Sequence, residues 1–134
     1  MQAVTSAKVK SNPELYSQAI VHGDVVYVSG QVPKSPETGE FVTDDFPREV
    51  RCALENTAAV LAAAGATFRD VLRVTVYLSD LALFDEFNAV YVEAFSHRPL
   101  PARTTIGAKL VRPELRVELD VIAAVPAGMT GEGE

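Results

Sequence analysis

Pro101-Ala102-Arg103-Thr104-Thr105-Ile106-Gly107-Ala108-Lys109-Leu110, followed after a short link by Arg116-Val117-Glu118-Leu119-Asp120-Val121-Ile122-Ala123-Ala124-Val125, decides the architecture. Both segments alternate. Arg103, Thr105, Gly107 and Lys109 share one face of the first, opposite Thr104, Ile106, Ala108 and Leu110. In the second, Glu118 and Asp120 stand opposite Val117, Leu119, Val121 and Ala123. Successive side chains of a strand point to opposite sides, so both read as strands of a sheet with one apolar face. The link around Arg112-Pro113-Glu114-Leu115 predicts an antiparallel pair. Arg103, a planar donor fork suited to a carboxylate, and Glu118 then lie at opposite ends of the pair. About seven residues at roughly 3.3 Å each separate them by on the order of 20 Å. If both are functional, the site lies between subunits.

Working outward, Val71–Leu78 alternates as a third clear strand, with Leu72, Val74, Val76 and Leu78 on one side and Arg73, Thr75 and Tyr77 on the other. Ala19–His22 and Val25–Ser29 flank Gly23-Asp24, a two-residue turn signal, and predict a hairpin. Val4–Val9 reads as a short edge strand, and Pro36–Glu40 as a turn. A helix is expected over Pro47–Ala64, capped by Asp44 or Asp45 and ended at Gly65, with Val50, Leu54, Leu61 and Ala64 as its apolar stripe. A second is expected over Leu81–Ser96, capped by Ser79 or Asp80, with the stripe Phe84, Phe87, Tyr91 and Phe95. Two helices suit one face of a mixed sheet. The other face would carry Tyr27, Ser29, Arg73, Thr75, Tyr77, Arg103, Thr105, Glu118 and Asp120. Its aromatic and arginine content suits packing between copies in a cyclic oligomer.

The 134 residues predict a single domain over 1–125 with a frayed glycine-rich tail over 126–134. A net charge of −6 argues against non-specific nucleic-acid binding, which needs a basic surface. One cysteine, Cys52, excludes an intrachain disulfide and a cysteine metal cluster. His22 and His97 show no metal-ligand spacing, so no metal site is expected, and no glycine-rich nucleotide motif occurs. No targeting segment and no apolar run near the roughly 20 residues of a bilayer span is visible, so a cytoplasmic protein without membrane contact is the default.

Four segments in order, Tyr16-Ser17-Gln18-Ala19, Ser29-Gly30-Gln31-Val32-Pro33, Thr75-Val76-Tyr77-Leu78 with Asp80, Phe84 and Asn88, and Pro101-Ala102-Arg103-Thr104 with Val117-Glu118, resemble the RidA (YjgF/L-PSP) family. Pro36–Glu40 and Leu54-Glu55-Asn56 also fit, so the resemblance runs from about residue 8 to residue 125. It implies an α+β, chorismate-mutase-like fold: a mixed sheet with two helices on one face, in a homotrimer whose sheets form a central barrel and whose clefts lie between subunits. The implied activity is hydrolysis of enamine/imine intermediates of the 2-aminoacrylate/2-iminopropanoate type to 2-oxo acids and ammonia, without a cofactor. The implied partners are a small imino or keto acid and two further copies of the chain.

Carried over, Arg103 would hold the substrate carboxylate, Glu118 would position or activate water, and Tyr16 would line the cleft from a neighbouring subunit. Ser29 and Gly30 would offer hydroxyl and backbone donors, and Asn88 and Thr105 would border the substrate. Plainer roles stand beside these: an ion pair for Arg103, Arg73 or Lys109 as partner of Glu118, packing for Tyr16, and a helix-surface amide for Asn88. Two departures bear on specificity, Thr105 where relatives often carry cysteine and Glu14-Leu15 where they read Gly-Pro. The alternatives are an endoribonuclease of the L-PSP type and a carboxylate-binding trimer without turnover.

Overall fold

The computed structural model describes residues 1–126; the expected frayed tail falls almost wholly outside them. Six strands, β1 (Gln2–Val4), β2 (Ala19–His22), β3 (Val25–Gln31), β4 (Val71–Leu78), β5 (Ala102–Gly107) and β6 (Val117–Ala124), form one sheet in the order β1-β2-β3-β6-β4-β5. Two helices, α1 (Phe46–Ala63) and α2 (Phe84–Ala94), cover one face.

The closing segments are strands, but they do not form the expected hairpin. β6 pairs antiparallel with both β3 and β4, while β5 pairs parallel with β4 on its far side. Parallel neighbours need a long crossover, and α2 provides it between β4 and β5. The link over 108–116 is long enough to carry the chain back past β4. β6 thus takes the slot between β3 and β4, where its apolar face is buried from both sides.

The alternation of β4 and β6 builds the core. Val74, Val76 and Leu78 of β4 and Val117, Leu119, Val121 and Ala123 of β6 are almost completely buried beneath the helices. Each such Val or Leu contributes roughly 1.5–3 kcal/mol relative to exposure. Leu72 departs from its expected inward place: a register shift between Val71 and Arg73 turns Val71 inward and leaves Leu72 51% exposed. The edge strand also lies earlier than expected, at Gln2–Val4 rather than Val4–Val9, because residues 5–11 are gathered by Gln18 instead. The buried Gln18 amide accepts from the Ser6 N–H and donates to the carbonyls of Ser6 and Val9 and to the Ser11 hydroxyl.

Helix α1 begins as its sequence predicts. The Asp45 carboxylate accepts from the Arg48 N–H at 3.0 Å. Gly65 adopts φ +81° and closes the end, with the Gly65 and Ala66 N–H groups donating to the carbonyls of Ala62 and Leu61. The second helical segment opens with a 3₁₀ turn over Leu81–Leu83 capped by Asp80, so α2 starts only at Phe84.

Among the described residues, one charge lies inside the core. Glu49 of α1 is 0% exposed, and its carboxylate accepts from Arg116 Nε at 3.1 Å and Nη2 at 2.6 Å, with the guanidinium over the Phe46 ring. Arg116 reaches solvent and Glu49 does not, so the two deletions should be unequal. Arg116→Ala strands a buried carboxylate and should cost about 3–5 kcal/mol, measured by denaturant unfolding. Glu49→Gln should cost less, since the freed guanidinium can hydrate.

Candidate functional site

Arg103 and Thr105 do not lie on the open face of the sheet, where the sequence pattern put them. Arg103 stands in register with Val74 and Thr105 with Val76, residues that face the helices. β5 is an edge strand beside α2, so the Arg103 guanidinium lies against that helix. Its Cζ is 4.6 Å from the Tyr91 ring centroid, 5.1 Å from Phe87 and 5.6 Å from Phe84. Attraction to the ring faces offsets part of the cost of removing the charge from water. That burial lowers the Arg103 pKa, yet the group stays charged at neutral pH.

Two hydrogen bonds fix the fork. Nη2 donates to Asn88 Oδ1 at 2.6 Å, and Nε donates to Thr105 Oγ1 at 3.0 Å. Asn88 and Thr105 therefore hold Arg103, the Tyr91 phenol lies close beside the guanidinium, and Nη1 makes no further hydrogen bond of good geometry among the described residues. By helical spacing Phe84, Phe87 and Tyr91 read only as a core stripe, although Phe84 also belongs to the segments that carry the family resemblance. Their second role depends on the parallel placement of β5 beside α2.

Glu118 lies on the other side of the sheet. It is in register with Tyr77, and its neighbours Val117 and Leu119 point into the core. Across from it, β3 is irregular: Val28 pairs with Val121 and Gln31 with Leu119, so Ser29 and Gly30 together oppose Asp120 alone. Such a bulge re-aims the bulged residues. The Glu118 carboxylate rests against Gly30, in the space that any Cβ there would occupy. It has no cation or hydrogen-bond donor among the described residues. Burial, and secondarily the Asp120 charge, push its pKa up.

Ser29 and Tyr16 belong to this second cluster. The Ser29 N–H donates to the Gln18 carbonyl at 2.9 Å, and its hydroxyl donates to the Ser17 carbonyl at 2.7 Å. These donors tie the Tyr16-Ser17-Gln18 segment to β3. Tyr16 and Gly30 border one small cavity of about 30 Å³, together with Gln31 and Lys34. Tyr16 itself is half-exposed.

The residues singled out from the sequence thus fall into two groups, Arg103 with Asn88 and Thr105, and Glu118 with Tyr16, Ser29 and Gly30. Three register positions along β4 and two strand spacings across put Arg103 and Glu118 on the order of 14 Å apart, less than the hairpin predicts. They also face opposite sides of the sheet, so within one chain they cannot meet over a small molecule. Burial raises the pKa of Cys52, which disfavours a reactive thiolate. Among the described residues no three His, Cys, Asp or Glu side chains form a metal-binding group, and no helix is long and apolar enough to cross a membrane.

A family model described as Endoribonuclease L-PSP matches residues 9–125. A RutC family protein of Pyrococcus abyssi is 42% identical over 108 residues, covering 81% of this chain and 84% of that one. The chloroplastic Reactive Intermediate Deaminase A of Arabidopsis thaliana is 32% identical over 124 residues, covering 92% of this chain and 66% of that one. Among solved structures, E. coli TdcF with bound serine superposes with a TM-score of 0.84 at 28% identity, covering 92% of this chain and 98% of that one. The family match spans β2 to β6, both helices and both residue clusters, and the chain belongs to the RidA/YjgF/L-PSP family, whose members include RutC proteins and reactive-intermediate deaminases.

Proposed function

We propose that this protein is a cofactor-independent deaminase that hydrolyses small enamine and imine acids of the 2-aminoacrylate/2-iminopropanoate type to 2-oxo acids and ammonia. Its site is shared between copies of the chain in a homotrimer. The observation that carries this reading is the division of the two clusters: a caged cation with a free edge on one face, and an unpartnered, half-buried carboxylate on the other. Each is half of what the reaction requires. The deaminase name of the Arabidopsis relative and the serine bound by TdcF, an amino acid with a carboxylate, support the substrate class.

In this mechanism the outer edge of Arg103 takes the substrate carboxylate, and Asn88 and Thr105 keep the guanidinium aimed. Glu118 of a second copy removes a proton from water as its oxygen bonds to the imine carbon, and the imine nitrogen gains a proton. Glu118 then passes its proton to the leaving nitrogen as the C–N bond breaks, and the carbinolamine hydroxyl loses its proton to solvent, giving ammonia, the 2-oxo acid and ionised Glu118 again. Tyr16, on the Glu118 side, closes the crevice. The ribonuclease of the family description suits a net charge of −6 less well, and RNA binding that weakens steeply with salt would favour it.

In a coupled assay with a pyridoxal enzyme that releases 2-aminoacrylate, the protein should accelerate keto-acid formation. Arg103→Ala should lower kcat/KM about 100-fold, the scale of losing a charge-assisted bidentate contact; equal rates would remove the reading. Mixing unfolded Arg103→Ala and Glu118→Gln chains and refolding them together should restore about a quarter of wild-type activity, since random assortment completes that share of shared sites. A site within one chain would give no recovery. Gly30→Ala should fold, because a side-chain tip yields more readily than backbone. It should displace the Glu118 carboxylate and lower kcat about 10-fold or more, with little change in Tm.

A further inference from the structure

Asp120 follows Glu118 by two residues on β6 and shares its face of the sheet. The Tyr77 hydroxyl, on the neighbouring β4, donates to Asp120 Oδ2 at 2.9 Å. Tyr77 is itself the register partner of Glu118, so one phenol lies beside Glu118 and holds the next carboxylate in place. That hydrogen bond is the largest influence keeping the phenol protonated, so it remains a donor across the neutral range. From β3, Asp120 faces the Ser29–Gly30 bulge, which brings no charge.

We propose that Asp120, pinned by Tyr77, is a positioning residue that supplies a fixed negative charge and sets the basicity of Glu118. The inference rests on the deaminase reading only for the role of Glu118; the coupling of the two carboxylates stands independently of it. The groups facing Glu118 are few. Within the chain, β6 contributes Asp120, β4 contributes Tyr77 and, further along, Arg73, β3 contributes Ser29 and Gly30, and Tyr16 borders Gly30 from the loop before β2. Arg73 is the cation of this face, and its Nη2 donates to the Thr104 hydroxyl at 2.6 Å, on the side of β4 away from β6. Among the described residues of its own chain, Glu118 therefore has a like charge nearby and no cation to offset it, while the Arg103 that the proposed cleft brings from a second copy is left unchanged by substitution of Asp120. A carboxylate so placed binds a proton more readily than a free one, and its ionised form is a stronger base. The small backbone of Gly30 and the tied Ser29 exclude water from one side without adding a donor that would weaken this effect.

The sign is specific. Removing the Asp120 charge lowers the proton affinity of Glu118, so Asp120→Asn should move the acid limb of the kcat–pH profile to lower pH. It should also reduce the plateau, because the ionised base is weaker. The two profiles should cross, with the variant faster than wild type on the acid side. A variant that had merely lost structure would be slower throughout. Asp120→Glu should return the limb towards the wild-type position. In parallel, NMR of protein carrying ¹³C-labelled glutamate reads the Glu118 carboxyl titration directly, assigned by the missing signal in Glu118→Gln. A lower midpoint in Asp120→Asn supports the inference, and an unchanged or higher midpoint overturns it, whatever the activity. If Glu118→Gln keeps full turnover, the catalytic role of Glu118 falls instead, and the titration still decides the coupling.

Discussion

Helices cover only one side of a six-stranded sheet, and strand alternation dictates what each side can hold. Every second residue of β6, and of β4 from Val74 onward, is committed to the core beneath α1 and α2. The residues between them, Arg73, Thr75, Tyr77, Glu118 and Asp120, must stand on the bare side. A shift of one residue in β6 would exchange its sets and bury two carboxylates, and the same shift in β4 would bury Thr75 and Tyr77. Register is thus fixed by hydrophobic burial, and the polar row on the open face follows from it.

Charges near the core are managed in three ways. Glu49 is fully buried and closes a bidentate pair with Arg116, an arrangement that is tolerable only while both partners remain. Arg103 is half withdrawn from water but lies among three aromatic rings, with an amide and a hydroxyl fixing its orientation. Glu118 is half buried beside a second carboxylate, with no cation to balance it among the described residues. Of the three, Glu49 has its needs met inside the chain, Arg103 keeps a free edge, and Glu118 lacks a counter-charge. The last two are the groups a charged, polar guest would complete, and they lie on opposite sides of one sheet. A cleft between copies is the arrangement that lets both act on one molecule.

Local chemistry made most elements legible. The Gly23-Asp24 turn, the Asp45 cap, the glycine stop at Gly65 and the alternation of Val117–Ala124 are each decided within a few residues, so sequence alone determined them. Arg103 and Glu118 could be singled out in the sequence, but its pattern separates them along a hairpin that does not form and on a shared face that Arg103 does not keep. In the fold they are apart because β5 turns Arg103 to the helix side. The order of strands was not legible. That β6 slips between β3 and β4 while β5 moves to the edge depends on which pairing buries more apolar surface once the helices are in place, and no short window contains that comparison. The same tertiary choice turned Arg103 towards α2, converted part of a core stripe into a cage for its guanidinium, and opposed the Ser29–Gly30 bulge to Asp120.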